Sequence, residues 1–145
     1  MSYDVSLDPT FQPDEVEAIV TGLEEWQESI PELHVTYSVS TCDSPAACQV
    51  CFHPDHSAPD PSHDVIGSTF PGSSDDSKVL IYVDRIRATG WEPSALTAQT
   101  AAHEMGHAIG LRHTGAQTLM AADVPDQAHG VTPTDVAQFW SVRGK

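Results

Sequence analysis

Residues 101 to 123 read AAHEMGHAIGLRHTGAQTLMAAD, and this stretch carries the side chains best suited to chemistry. His103 and His107 are four residues apart, so on a helix they stack about 6 Å apart along one face. That spacing lets both imidazoles reach one ion. Glu104 lies about 100° around from His103 and points beside such an ion rather than at it. His113 is the harder case. Six residues beyond His107, a continuing helix would carry it about 240° round, onto the opposite side. It joins the other two only if the helix breaks and the chain swings back. Gly110 stands where that break is needed, because glycine takes the left-handed conformation that ends helices without a Cβ penalty.

Three neutral imidazoles form a tripod with a fourth position open to water. Zinc is the favoured ion, being suited to imidazole and to four-coordinate geometry. It acidifies water, and Glu104 is placed to take the proton, a combination that serves hydrolysis of a polarised carbonyl.

HEMGHAIGLRH fills every defining position of the pattern His-Glu-x-x-His-x-x-Gly-x-x-His. On this motif the chain resembles the metzincin zinc peptidases, and the residues GHAIGLRH are most similar to the matrixin branch, the matrix metalloproteinase catalytic domains. TLM places Met120 seven residues after His113, where that family has its Met-turn. A tryptophan-bearing helix followed by PELHVTYSV, then VLIYVDRI and the final TPTDVAQFW, follows the matrixin order of elements. The likeness in order covers most of the chain but is specific only over residues 103 to 120.

The resemblance implies a metzincin-like α+β fold: a mixed twisted β-sheet with an active-site helix, a backing helix and a C-terminal helix. It implies that His103, His107 and His113 hold one catalytic Zn2+, that Glu104 is general base and then general acid, and that Met120 floors the site without binding. It also implies that an edge strand, here VIGSTF, lines the cleft and pairs with an extended peptide. The expected function is zinc-dependent endopeptidase activity on a peptide or protein substrate. The alternative is a non-catalytic zinc domain that recognises a peptide or protein partner. Two departures stand out. No tyrosine follows Met120 to act as a ligand, and the region around Gly67 does not reproduce the structural zinc and calcium sites of animal matrixins.

A second cluster, CDSPAACQVCFHPDH, brings Cys42, Cys48, Cys51 and His53 close together. It admits a Cys3His structural metal site, one disulfide plus a free thiol, or three reduced buried cysteines. His56 and His63 with Asp55, Asp60 and Asp64 form either a surface cation site or simply a solvated loop.

These groups need elements to hold them. The 145 residues suit one domain, 1–145, with one core. SYDVSLD alternates like a short strand. PDEVEAIVTGLEEWQESIPEL is an amphipathic helix with Val16, Ile19, Val20, Leu23, Trp26 and Ile30 on one face. Pro13 suits its first turn, acidic residues complement its dipole, and Pro31 stops it. LHVTYSVS (33–40), CQVCFH, VIGSTF (65–70) and KVLIYVDRI (78–86) read as strands. ALTAQTAAHEMGHAIGL is the long helix, ending at Gly110 or Leu111. In TPTDVAQFW, Thr132 caps, Pro133 takes the first helical position and Asp135 completes a capping box. Trp91 and Trp140 are expected to pack, and Arg85 and Arg87 to pair with Asp84. Strands so grouped indicate one sheet in an α+β domain.

The net charge of −15 repels phosphate backbones and anionic lipid, which argues against nucleic-acid and membrane-surface partners. No apolar run is long enough to cross a bilayer. The start, MSYDVSLDPT, lacks the basic and apolar regions of a secretory signal. The expectation is therefore a monomer, cytoplasmic if the chain is complete and secreted if it is a mature fragment.

Overall fold

The computed structural model describes residues 1–41, 49–58, 65–71 and 76–145. Five strands and four α-helices follow in the order β1 (Ser2–Leu7), α1 (Pro13–Ser29), β2 (His34–Val39), β3 (Gln49–Asp55), β4 (Gly67–Pro71), β5 (Ser77–Tyr82), α2 (Val83–Ala88), α3 (Pro93–Ala108) and α4 (Pro133–Ser141). The strands form one mixed sheet in the order β2-β1-β3-β5-β4, so β2 and β4 are its edges. β1 runs parallel to β2 and β3, and β3 parallel to β5, whereas β4 is antiparallel to β5. An α+β domain with a single sheet is what the pattern of elements predicts.

The core is where the two periodicities meet. Val5 and Leu7, Val50 and Phe52, and Val79 and Ile81 are buried two apart on their strands, the alternation a sheet with one covered face requires. Ile19, Leu23, Trp26 and Ile30 bury the inner stripe of α1, with Val16 and Val20 packed at its margin. Pro13 opens that helix and the Gln12 N–H donates to Glu15 Oε1 at 2.7 Å. Its apolar stripe lies against α3, and the approach is close because of Gly22. A Cβ there would stand 2.4 Å from the Ala98 carbonyl oxygen and 2.9 Å from the Ala102 nitrogen. Beside it the Trp26 indole N–H donates to the Ala102 carbonyl at 2.7 Å, which satisfies the only polar atom of a fully buried ring.

Three expectations change. KVLIYVDRI does not stay extended: the strand ends at Tyr82 and Val83–Ala88 is helical. Val83 and Ile86, three apart, are both buried, a spacing that one helical face satisfies and a strand does not. Arg85 makes no pair with Asp84. It donates to the carbonyls of Ala58 and Val65 and lies over the Tyr82 ring, while Arg87 bridges Asp84 and Glu15. Trp91 is 44% exposed rather than packed, whereas Trp140 sits partly buried against the core. Among the described residues, no helix is long and apolar enough to cross a membrane.

Candidate metal centre

His103, His107 and His113 converge. Their ring centroids lie 4.8 to 5.3 Å apart, and one nitrogen from each falls within 4.8 Å of the others. The turn that brings His113 back is a Schellman motif: the Gly110 N–H donates to the His107 carbonyl at 3.0 Å and the Leu111 N–H to the Gly106 carbonyl at 2.9 Å. Gly110 has φ +103°, the left-handed conformation that an L side chain resists.

The backbone also fixes which nitrogens face inward. His103 Nδ1 lies 2.8 Å from the Leu119 carbonyl oxygen, and His107 Nδ1 lies 2.9 Å from that of Leu111. A carbonyl only accepts, so both Nδ1 atoms carry hydrogen and both Nε2 atoms present lone pairs. His107 Nε2 and His113 Nε2 are 3.2 Å apart. A tetrahedral zinc with bonds of about 2.0–2.1 Å separates two ligand nitrogens by roughly 3.3 Å. The His107–His113 pair is thus spaced as two ligands of such a cation would be, and His103 offers a third nitrogen within 4.8 Å. Burial holds the His103 imidazole well below its ordinary range, at about 4, and pushes His107 in the same direction, so both are neutral ligands at neutral pH.

Beneath the triad, the chain from Thr114 to Ala121 returns under α3. The Thr114 N–H donates to the Met120 carbonyl at 2.9 Å, closing the turn. Met120 is fully buried against Gly106, where a Cβ would meet its Sδ at 2.4 Å and Trp26 Cζ2 at 3.0 Å. Gly106 is thus the space into which the thioether fits. Asp135, fully buried, holds this turn from α4. Its carboxylate accepts from the N–H of Leu119 at 2.9 Å, of Met120 at 3.2 Å and of Thr132 at 2.8 Å, and from the Thr132 hydroxyl at 2.7 Å. Of these four bonds a capping box accounts only for the one from the Thr132 N–H. Through Leu119 the same carboxylate steadies the carbonyl that orients His103.

Glu104 is buried on the cleft side of α3. Its carboxyl is pushed up by burial, and a hydrogen bond from Thr69 works against that shift. Thr69 Oγ1 donates to Glu104 Oε2 at 2.5 Å and lies 3.1 Å from the Glu104 carbonyl oxygen. Two residues earlier, on the same face of β4, Gly67 lets the strand approach. A Cβ there would stand 2.7 Å from Thr100 Cγ2 and 2.9 Å from Glu104 Cγ. Neither Gly67 nor Thr69 carries a sequence signal for this role, since both are more than thirty residues from the motif.

Between β4 and the C-terminal half of α3 lies a cleft of about 970 Å³, bordered by Glu104, His107 and His113 on one side and by Gly67 to Phe70 on the other. A smaller recess of about 160 Å³ opens beside His103 and Glu104, bounded by Thr100, Val124 and Gln127.

The cysteine cluster is different. Cys51 is disulfide-bonded, so its sulfur is no thiolate ligand, and His53 Nδ1 pairs with Asp8 Oδ2 at 2.9 Å. Cys42, Cys48, Asp60, His63 and Asp64 lie outside the described residues. His56 pairs with Asp84 at 3.1 Å, and Asp55 accepts from the Ser57 N–H. Among the described residues, His103, His107 and His113 are the one set of three placed to hold a metal. Neither a sequence profile of a known family nor a curated protein matches the chain.

Proposed function

We propose that this chain is a zinc-dependent endopeptidase with a metzincin-like fold, most similar to a minimal matrixin catalytic domain. The observation that carries the reading is the convergence of three imidazoles, two with their tautomer fixed by backbone carbonyls, next to a buried glutamate in an open cleft.

His103, His107 and His113 hold the ion. Zinc bound there supplies Lewis-acid chemistry, polarising a carbonyl and acidifying water. Glu104 takes the proton of the attacking water and returns it to the leaving amine. Burial favours that proton on the carboxyl, while the Thr69 hydroxyl stabilises the charged form, so the group can work in both directions. β4 is a sheet edge with one side unpaired by any described strand, and it borders the cleft next to Glu104. An extended peptide would add to it as a further strand, holding its backbone along the cleft beside Glu104.

The test pairs metal analysis with peptide hydrolysis. One zinc per chain is expected, retained in Glu104→Gln, whose turnover on a broad peptide library falls by about 10²–10⁴. Equal cleavage by both proteins removes Glu104 from the reaction. Zinc binding without cleavage by the native chain leaves a peptide-recognition module instead.

A further inference from the structure

The cleft holds a charged group that the hydrolytic reading does not use. Asp76, directly before β5, lines the cleft together with Tyr3, Phe70 and Ser77. Its Oδ1 is buried and makes no hydrogen bond among the described residues. Arg143, which donates to the Tyr3 hydroxyl, is engaged also by the carbonyls of Phe139 and Ile109, and among the described residues no cation pairs with Asp76. No lysine or arginine borders the cleft among the described residues.

From this arrangement we infer that Asp76 is a recognition point for a lysine or arginine side chain of the bound peptide, an inference that rests on the peptide-cleft reading above. A carboxylate oxygen sealed from water without a partner is unfavourable, and an ammonium or guanidinium brought to the same carboxyl relieves it through a charge-assisted hydrogen bond. The surroundings suit the rest of such a side chain. Phe70 is half exposed and Tyr3 lines the same cleft, so aromatic surface is available for a long aliphatic stem and for the face of a cation. An acidic side chain would meet the Asp76 charge with no lysine or arginine among the described cleft residues to offset it. The net charge of −15 adds long-range attraction for a cationic peptide. A metal ion is not the occupant that this chemistry calls for, because Asp76 belongs to no cluster of ligand-type groups among the described residues.

The experiment measures binding separately from cleavage. Zinc-loaded Glu104→Gln protein is titrated with fluorescent peptides carrying one lysine, norleucine or glutamate, scanned through every position. All are N-acetylated, so that a free α-amine cannot supply the charge. At one position lysine is expected to bind about tenfold tighter than norleucine, and glutamate weaker than both. Adding Asp76→Asn brings lysine and norleucine together, while Asp76→Glu keeps part of the preference. Zinc content and Tm of both variants confirm the fold. Equal binding of lysine and norleucine at all positions, a preference that survives Asp76→Asn, or no binding by any peptide overturns the inference. If the lysine preference holds but the Glu104-intact protein cleaves nothing, the subsite stands and the hydrolytic reading falls.

Discussion

The two walls of the cleft are built in opposite ways. The α3 wall is local: His103, Glu104, Gly106, His107, Gly110 and His113 fall within eleven residues, and their placement follows from helical periodicity and one left-handed turn. The β4 wall is remote. Thr69 reaches Glu104 across 35 residues, and Gly67 matters only because two separate elements meet at its Cα. The proposed ligands are thus specified by spacing, whereas the proposed base is held by tertiary contact. Changes on the first wall should alter metal binding, and changes on the second should alter turnover with the metal in place.

The largest departure from that division is expected at Asp135, which belongs to neither wall. Asp135→Ala strands the N–H groups of Leu119, Met120 and Thr132. Buried donors left unpaired cost about 1–3 kcal/mol each, so denaturant unfolding should show a loss of about 3 kcal/mol or more. Zinc affinity, read by competition with a chelator, should fall about 10–100-fold, because His103 loses the support of its carbonyl partner.

Gly67→Ala sharpens the contrast. Its Cβ must push β4 from Thr100 and Glu104, at about 1–3 kcal/mol of stability. Peptide turnover should drop while zinc affinity stays within a few-fold. A loss of zinc equal to the loss of turnover would erase the distinction between the walls.

Thr69→Val is subtler. It removes the hydroxyl that holds the Glu104 carboxyl down, so the acid limb of the kcat profile moves to higher pH and turnover at neutral pH falls roughly tenfold. Thr69→Ser should restore both. If valine and serine behave alike, the hydrogen bond has no part in tuning the base.

The smallest effect is a slope in the metal-free protein. The His103 imidazole sits at about 4 when folded, against an ordinary 6.5. Between those values the unfolded chain binds the proton and the folded chain does not, so stability falls as pH falls. The contribution is complete above pH 6.5 and is lost on the way to pH 4. Glu104, shifted upward, acts in the opposite sense above its ordinary 4.5. The Tm of chelated protein should therefore drop by a few degrees between pH 6.5 and 5. His103→Gln should reduce that slope, and His107, shifted the same way, supplies what remains.

Legibility in the sequence follows the same division. The long helix, its end at Gly110, the spacing of the three histidines and the cap at Thr132 are set within a few residues, which periodicity and turn chemistry capture, whereas Met120 was legible only through the family resemblance. The single sheet with VIGSTF at its edge was readable too, although its pairing order was not. YVDRI reads as strand because it carries β-branched residues, while the burial of Val83 and Ile86 on one face favours α2. Gly67, Thr69, Asp76 and the reach of Asp135 to Leu119 and Met120 depend on which elements become neighbours. Short-range pattern does not encode that.

Asp135 has one more implication. Because one carboxylate caps α4 and also anchors the loop whose carbonyl aims an imidazole, occupancy of the proposed ion site and ordering of the final helix would be thermodynamically reciprocal. Chelation should quicken hydrogen exchange in amides of Pro133–Ser141, and whatever frays that segment should release the ion.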